Sequence, residues 1–554
     1  MKTDYGRLGR ESLARLERTA ERAGETQALF LRRWLEENRG TEFGQRYGFS
    51  GMGGVEDYRA KVPLSSYSDY ERDIKRIIAG ERGILTERDA IYFCVSSGTV
   101  SDEKYLPLTA FDLEAHYIYM YGAVFGMIRD YYRELPDEAV FGKIFQIGEF
   151  ARTHMPDGRM NGIRSVCVYQ WLEETEGFDA SDYCVPKEVL FPNVLEDMMY
   201  LKVRFALAER GLTAIHGVFI NRVAYVVEYI LQNWELLLRD MECGTVSVEI
   251  GAQWRQLLLD RLPPDPTRAG ELRRAGCQPD GIIQRIWKDM KYILAIGGES
   301  FSYYTGKVRQ YAGDVPLHSF IYAASEGVFG LPEAVDQEDR YVLLPESVFF
   351  EFLPIEGSGE RTLLMDELEE GGRYELVVTN RSGLYRYRMG DVIEVVGWWK
   401  KAPVIKFCYR RNQVINIAGE KSNQQQLDRA IRCFAMRTHT EVRGYSVQED
   451  MSGLAPKYLF YMECSGMPSH ADSIFETCMC AANPEYRACR HMREIEPLHI
   501  EFLREGSFKR YERQLLLRGK PLAQCKTPRF LDTEEKRAFF AGQILKRTCD
   551  QGLS

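Results

Sequence analysis

The chain has 554 residues, of which 45% are hydrophobic and 28% charged, and its formal net charge is −9. At roughly 100–200 residues per domain, this length predicts more than one domain, and the composition argues against wholesale disorder. Nucleic-acid-binding proteins usually present a basic face, so the net negative charge argues against a nucleic acid partner.

Membrane and secretion signals are missing from the sequence. It has no apolar run of about 18 residues, which excludes a transmembrane helix. The N-terminal segment is charged and lacks the apolar stretch of a signal peptide. The 13 cysteines are scattered and odd in number, which is typical of free thiols in a reducing cytoplasm. We therefore expect a cytoplasmic monomer without membrane contact. Cys478 and Cys480 have a poor spacing for zinc.

The predicted elements begin with helices over residues 9–38, where apolar residues recur at helical spacing. A candidate strand at 90–95 runs into Ser-Ser-Gly-Thr. Helical patterns follow at about 110–134 and 195–240, with a candidate strand at 212–220. Strand patterns then dominate, at 292–296, 319–322, 341–344, 347–353 and 374–379. A last helix pattern follows at 424–436. These elements predict a large α/β N-terminal domain at 1–415 and a small α+β C-terminal domain at 416–554.

The first motif is a hydroxyl-rich turn, Ser96-Ser97-Gly98-Thr99, directly after the strand at 90–95. Such a turn offers backbone N–H groups and hydroxyls to phosphate oxygens, and Lys104 adds a positive charge nearby. It lacks the pattern of a Walker A loop. Taken alone, an ordinary turn is the more frequent explanation.

The second motif runs from Ile321 to Gly330 and combines an aromatic residue, small residues and a carboxylate. Tyr322 can stack on a flat ring, which the small side chains of Ala323 and Ala324 leave room for. The Glu326 carboxylate is a suitable ligand for Mg²⁺. The alternative is a strand-to-turn junction with an exposed glutamate.

The third motif runs from Gly383 to Val392. Its Tyr-Arg-Tyr-Arg sequence at 385–388 alternates at strand period, which predicts both tyrosines on one face and both arginines on the other. Gly390 and Asp391 are then predicted to start a turn. An aspartate in such a position can accept both hydroxyls of a ribose. The alternative is a half-exposed strand followed by a common turn.

The three motifs, in this order, are similar to those of one known family. SSGT at 96–99, YAASEGVFG at 322–330 and YRMGDV at 387–392 match its phosphate, nucleotide and YRxGDV-like motifs. The segments at 506–508 and 523–529 resemble its GTF-type element and its closing QYKTPR segment. The sequence thus resembles the Gretchen Hagen family of acyl-acid–amido synthetases, adenylate-forming enzymes known from plants and also present in bacteria. The resemblance extends from about residue 60 to 530.

The resemblance implies an α/β fold with a large, firefly luciferase-like N-terminal domain and a small mobile α+β domain. It implies that ATP and Mg²⁺ are used, with Tyr322 beside the adenine and Asp391 on the ribose. Three catalytic residues follow: Glu326 on the magnesium side, Lys421 in the hinge region, and Lys526 as the lysine that reaches phosphate oxygens. The implied nucleotide contacts are Ser96, Ser97, Gly98, Thr99, Tyr322, Ala323, Ser325, Tyr385, Arg388 and Asp391.

The implied reaction activates a small carboxylic acid as an acyl-adenylate and transfers the acyl group to an amino acid amine. Two alternatives stay open: an acyl-CoA ligase or similar enzyme with a thiol acceptor, and a non-catalytic nucleotide-binding protein. The second follows from Asp102 and Glu103, which add negative charge where the family has a second glycine. Arg164 is a candidate clamp for the acid carboxylate. Candidates for the acid pocket, which are core residues by default, are His116, Tyr119, Met120, Leu212, Ile215 and Val218.

Overall fold

The structure is a computed structural model. It describes residues 5–96, 104–148, 153–175, 179–191, 198–297, 302–355, 361–410, 415–420, 422, 424–453, 455–517, 528–531 and 533–545. Among these, residues 5–96 and 104–410 form one compact unit, the large unit, and residues 415–545 form a second, the small unit.

The large unit is rich in helices, and those predicted over 9–38 and 110–134 are confirmed. A π-helical segment, Ile118–Val124, interrupts the second of these patterns. In the described ranges the helices are α1 (Tyr5–Glu21), α2 (Ala23–Glu37), α3 (Glu42–Tyr47), α4 (Val55–Lys61), α5 (Tyr67–Ile78), α6 (Ala110–Tyr117), α7 (Phe125–Tyr131), α8 (Asp137–Val140), α9 (Arg164–Thr175), α10 (Lys187–Leu190), α11 (Met199–Ala208), α12 (Ile220–Gln232), α13 (Trp234–Cys243), α14 (Ala252–Arg261), α15 (Pro266–Ala275), α16 (Ile282–Ile286) and α17 (Ser302–Ala312).

The strands of the large unit form three sheets. They are β1 (Ala90–Ser96), β2 (Lys104–Thr109), β3 (Lys143–Gln146), β4 (Thr153–His154), β5 (Met160–Gly162), β6 (Leu212–Phe219), β7 (Tyr292–Ile296), β8 (Leu317–Ser319), β9 (Tyr322–Ala324), β10 (Gly327–Pro332), β11 (Tyr341–Leu343), β12 (Phe349–Pro354), β13 (Arg373–Thr379), β14 (Tyr387–Trp399) and β15 (Ala402–Arg410). The sheet orders are β2-β1-β5-β4, β3-β6-β7-β8 and β12-β13-β14-β15-β11-β10-β9. The strand predicted at 90–95 is confirmed as β1.

The sheet β3-β6-β7-β8 is parallel throughout. Parallel strands are normally covered on both faces, so their sequences are apolar almost without interruption. Residues 212–217 of β6 and 292–295 of β7 are accordingly buried. Helices α12 and α17 pack against each other beside this sheet, with the Tyr225 and Tyr304 hydroxyls 2.7 Å apart.

The seven-stranded sheet is strongly curled. Its edge strand β9 is separated from β14 by β10, β11 and β15. The Tyr322 ring on β9 nevertheless lies 6.3 Å from the Phe407 ring on β15 and reaches Asp391 on β14. The curl therefore brings together residues of the second and third motifs that a flat sheet would hold several strands apart.

The small unit has its own hydrophobic core, in which the Phe434, Phe460 and Phe475 side chains are fully buried. Its sheet has the order β16-β17-β18. The helix predicted at 424–436 is confirmed as α18. The elements are α18 (Gln424–Thr438), β16 (Val442–Asp450), β17 (Lys457–Cys464), α19 (Ala471–Ala482), α20 (Pro484–His491), β18 (His499–Phe502), α21 (Ser507–Leu517) and α22 (Glu534–Ala541). Among the described residues of both units, no helix combines the length and apolar character needed to cross a membrane.

Candidate active site

The second motif folds as a β-hairpin at the edge of the seven-stranded sheet. Ser325 and Glu326 form a two-residue turn, after which Gly327 pairs with Ala324 across the hairpin. Residues 322–325 are half-buried, whereas Glu326 is only 7% exposed. The hairpin therefore presents small residues at a partly open edge beside the Tyr322 ring, and it turns one carboxylate inward.

Glu326 is a buried carboxylate without a counter-charge in the part of the chain that the structure describes. Its side chain makes no hydrogen bond or ion pair to those residues, while its backbone oxygen accepts from Asn380 Nδ2 at 2.8 Å. Buried charges are normally paired or bound to a cation, because desolvation of a bare charge is costly. Mg²⁺ often uses a single carboxylate when substrate phosphates supply further oxygens. Glu326 therefore fits the magnesium-side position.

A complete protein cage for a metal does not occur among the described residues. No group of three or more His, Cys, Asp or Glu side chains converges there.

The third motif contains a β-bulge at Gly390. This residue has a φ of +74°, which favours glycine, and the pairing of β13 with β14 skips from Arg388 to Val392. The turn predicted at Gly390 and Asp391 is therefore wrong, because β14 continues through it. The bulged segment carries Asp391, which is 4% exposed and accepts from the Tyr322 hydroxyl at 2.9 Å across a separation of 69 residues. One hydrogen bond thus joins the second motif to the third.

The residues before the bulge do not alternate as a strand. Tyr385 precedes β14, and Arg386 has a φ of +48°, so the predicted alternation is wrong. The Tyr385 ring is fully buried and stacks on Phe43 at 4.4 Å, and its hydroxyl donates to Leu85 O at 2.8 Å. Tyr385 therefore belongs to the hydrophobic core, and its enclosed ring corrects the prediction that it contacts the nucleotide.

The two arginines of the third motif are both paired. Arg386 is buried and forms an ion pair with Glu351 at 2.9 Å. Arg388 is more exposed and donates to both oxygens of Glu375, at 3.0 and 2.7 Å. A nucleotide contact by Arg388 stays a prediction.

A buried polar cluster contacts the hairpin turn. Arg164 donates from Nη2 to Asp112 Oδ2 at 2.7 Å, from Nε to His116 Nδ1 at 3.2 Å and from Nη1 to Ser325 O at 3.2 Å. Burial, with a contribution from Arg164, holds the pKa of His116 well below 6.5, so the ring is neutral and can accept. Arg164 thus binds the turn through Ser325 O and pairs with Asp112. These three bonds use three of its five N–H donors, and its suggested role as a clamp for the acid stays a prediction.

The strand before the first motif reaches the same turn. The pKa of the Cys94 thiol on β1 is raised to about 11, mainly by burial. A hydrogen bond with the Ser325 side chain offsets part of this rise. β1 ends at Ser96, which pairs with Lys104 at the start of β2. The Lys104 ammonium lies 5.2 Å from the Tyr67 ring. The end of β1 therefore lies against the hairpin of the second motif.

Several predicted site residues lie outside the described residues: Ser97, Gly98, Thr99, Lys421 and Lys526. Of Ser96 only the backbone is described. The roles of these residues stay predictions.

Asn380 is a site residue that sequence reasoning missed. Besides the bond to the Glu326 backbone, its Oδ1 accepts from the N–H groups of Ser382 and Leu384, at 3.0 and 2.9 Å. Asn380 thus ties the turn before the third motif to the hairpin of the second. The Asn-Arg-Ser-Gly sequence at 380–383 signals a turn, but it contains no signal for the distant partner.

Comparison with known proteins covers nearly the whole chain. The family models for the GH3 family N-terminal, central and C-terminal domains match residues 12–317, 341–410 and 425–535. The jasmonoyl–L-amino acid synthetase GH3.5 of Oryza sativa subsp. japonica is 27% identical over 98% of this chain and 97% of its own. The indole-3-acetic acid-amido synthetase GH3.8 of Oryza sativa subsp. indica is 30% identical over 89% of this chain and 86% of its own.

Solved structures show the same fold. The GH3.15 acyl acid amido synthetase is 24% identical, with a TM-score of 0.65 and 96% of both chains covered. Its complex with 2,4-DB has a TM-score of 0.68 at 24% identity and covers 98% of both chains. The predicted adenylate-forming fold is confirmed, and the chain belongs to the GH3 family.

Proposed function

We propose that the protein is an acyl-acid–amido synthetase that activates a small carboxylic acid with ATP and joins it to an amino acid. The family match over the full chain supports the reaction type. The observation that carries the proposal at the site is the hydrogen bond between Tyr322 and Asp391, beside a hairpin whose Glu326 has no cationic partner among the described residues. We also propose a cytoplasmic, monomeric enzyme.

The first half-reaction makes the acid reactive. An acid carboxylate has no good leaving group, so one of its oxygens attacks the α-phosphorus of ATP, and pyrophosphate departs. Such a phosphoryl transfer needs little beyond positioning and neutralisation of charge. Tyr322 would stack on the adenine, Asp391 would accept from the ribose hydroxyls, and the turn at 96–99 would donate to the phosphates. Mg²⁺ at Glu326 would neutralise phosphate charge.

The second half-reaction forms the amide. The amino group of the amino acid attacks the acyl carbon of the adenylate, and AMP leaves. Lys526 would neutralise phosphate oxygens during activation, and Lys421 would act in the hinge region. Arg164 and Asn380 would hold the hairpin in place, because they donate to the backbone oxygens of Ser325 and Glu326 in its turn. Asp112 would in turn hold Arg164.

The test is acid-dependent exchange of radioactive pyrophosphate into ATP, across a panel of carboxylic acids, followed by mass analysis of products. An amide product with a mixture of amino acids supports the proposal. A thioester with coenzyme A and no amide would instead identify an acyl-CoA ligase. The absence of exchange with every acid would leave a non-catalytic nucleotide-binding protein. Lys526→Ala is expected to lower exchange sharply without unfolding the chain.

A further inference from the structure

The segment that follows Lys526 is attached to the free edge of the small unit's sheet. Because the sheet order is β16-β17-β18, β16 is an edge strand. Val447 on β16 donates to Arg529 O at 2.8 Å and accepts from Leu531 N at 2.9 Å. Phe530 therefore pairs with Val447 in the manner of a parallel strand.

Side chains fix this segment from two sides. The buried Ser446 hydroxyl on β16 donates to Pro528 O, and Arg537 on α22 donates from Nε to Leu531 O at 2.9 Å. The Leu531 side chain is fully buried. Residues 528–531 are thus held by backbone and side-chain bonds together.

Arg529 also connects the segment to α18 through Tyr445. It donates from Nη1 to Tyr445 O at 3.1 Å, and its guanidinium lies 4.4 Å from the centre of the Tyr445 ring. The Tyr445 hydroxyl donates to Asp428 Oδ1 on α18 at 2.7 Å. Burial and this carboxylate raise the pKa of Tyr445, so the hydroxyl stays a donor. A cation over a buried ring is a stabilising contact in addition to the hydrogen bond.

We propose that Arg529 and Tyr445 are positioning residues that hold Lys526 in place for activation of the acid. The inference rests on the proposed function and on the role of Lys526 in it. One residue, Thr527, separates Lys526 from the attached segment. A lysine has a long flexible side chain, so its ammonium can be placed accurately only from a fixed backbone. A misplacement of about 1 Å can cost about 100-fold in rate.

The test compares the two half-reactions in an Arg529→Met variant, which keeps a long apolar side chain but removes the charge and the donors. Its kcat for pyrophosphate exchange is expected to fall by about 10- to 100-fold, with KM for ATP changed less than about threefold. Amide formation from a supplied acyl-adenylate is expected to stay within about twofold, because no pyrophosphate leaves in that step. Arg529→Lys should restore part of the exchange, since it returns a cation to the Tyr445 ring.

Arg443→Met is the matched control, because Arg443 lies on β16 like Tyr445 and, among the described residues, pairs with the exposed Glu441 and Glu505. Its kinetics should match the wild type. If Arg529→Met lowers the rates of pyrophosphate exchange and of amide formation equally, and also lowers the thermal midpoint, Arg529 has only a structural role. That result would overturn the proposal. Loss of exchange in Lys526→Ala but not in Arg529→Met would overturn it while leaving the proposed function intact. Full exchange in Lys526→Ala would remove the role of Lys526 and this inference together.

A second inference rests on a different observation, a pair of thiols in the small unit. Cys433 on α18 and Cys478 on α19 are free, and their Sγ atoms lie 2.8 Å apart. A disulfide bond is about 2.05 Å long, so its formation requires an approach of less than about 1 Å. Cys478 is 1% exposed, and burial followed by the neighbouring thiol raises its pKa. Cys433 is half-buried and thus the more accessible of the two.

We infer that Cys433 and Cys478 form a site of reversible oxidation by peroxide. The Cys433 sulfur attacks one peroxide oxygen and becomes a sulfenic acid, with release of one water. The Cys478 sulfur then attacks the sulfenic sulfur and releases the second water. Two thiols and one hydrogen peroxide thus give one disulfide and two waters, and the two electrons lost by sulfur reduce the peroxide.

The test treats the full chain with hydrogen peroxide and maps its cysteines by differential alkylation and mass spectrometry. The expected product is a peptide pair linked through Cys433 and Cys478, two hydrogens lighter and separated again by dithiothreitol. In Cys478→Ser, Cys433 should instead proceed to the sulfinic acid. Exposed Cys243 and Cys277 serve as internal controls for non-specific oxidation. Sulfinic acid at Cys433 in the wild type, without the cross-link, would overturn the inference.

Discussion

Replacement of Asp391 by asparagine tests the ribose contact directly. Asp391 is 4% exposed and accepts from the Tyr322 hydroxyl at 2.9 Å. Asparagine has the same size and can accept that bond through its own Oδ1, so the link between the two motifs is kept. The variant removes the negative charge and one acceptor, and with them the property that suits the site to a ribose.

The size of the effect follows from the strength of hydrogen bonds. A hydrogen bond to a charged group contributes about 1.5–3 kcal/mol, against about 0.5–1.5 kcal/mol for a neutral pair. The difference of about 1–1.5 kcal/mol corresponds to roughly tenfold for each ribose hydroxyl. KM for ATP is therefore expected to rise by about 10- to 100-fold. The kcat should change less than about threefold, because the ribose contact is the same in the ground state and the transition state.

The assay is pyrophosphate exchange with ATP, 2′-deoxy-ATP and 3′-deoxy-ATP. An analogue that lacks one ribose hydroxyl has already lost one bond to Asp391. The rise in KM that Asp391→Asn causes should therefore be smaller with that analogue than with ATP. Glu394→Gln is the control, since Glu394 lies on the same strand and pairs with Arg373 at 3.1 Å on the surface. The same penalty with ATP and with both analogues would refute the ribose assignment.

Three further variants test the surroundings of the site and the small unit. Glu326→Gln breaks no side-chain bond to the described residues, so the thermal midpoint should be kept or raised, while half-maximal exchange should require at least about tenfold more Mg²⁺. A lower midpoint with unchanged Mg²⁺ dependence would contradict this. Arg164→Met leaves Asp112 buried and unpaired, which should cost about 3–5 kcal/mol in denaturant unfolding. Adding Asp112→Leu should recover much of that loss, whereas additive losses would disprove the pairing. Burial, with the Glu420 carboxylate, raises the pKa of Glu449 from 4.5 to about 7. The folded state therefore binds this proton more tightly, and wild-type stability should fall between about pH 4.5 and pH 7 and level off above. As the pH rises across that window, Glu449→Gln should become more stable relative to the wild type. Parallel plots of unfolding free energy against pH for the two proteins would argue against the raised pKa of Glu449.

The local part of the site could be predicted from the sequence. The apolar residues at 90–95 indicate a strand, and the small residues before Glu326 indicate a strand that ends in a turn, which the structure realises as β1 and as the β9–β10 hairpin. Both features depend on neighbours in the chain. The chemistry of each side chain also follows from its type. Glu326 could therefore be singled out as a candidate Mg²⁺ ligand, and Asp391 as a candidate acceptor for ribose hydroxyls, without knowledge of the fold.

The long-range part could not be predicted. Arg164 and Asp112 are 52 residues apart and meet because α9 and α6 pack together. Tyr-Arg-Tyr-Arg at 385–388 satisfies the period of a strand, yet Arg386 turns into a left-handed conformation and pairs with Glu351, 35 residues away. A periodic pattern records which faces are polar, but it does not record a partner on another strand. The curl of the sheet and the bulge at Gly390 decide those partners.

Comparison of buried glutamates in one sheet strengthens the argument for a functional Glu326. Glu351 on β12 and Glu375 on β13 are 0% and 2% exposed, and each forms an ion pair with an arginine. Glu326, at 7% exposed, has no such partner among the described residues. A largely buried carboxylate without a cationic partner lowers stability unless another charge compensates it. The same sheet supplies that compensation twice, and its absence at the hairpin turn among the described residues supports the proposed cation at Glu326.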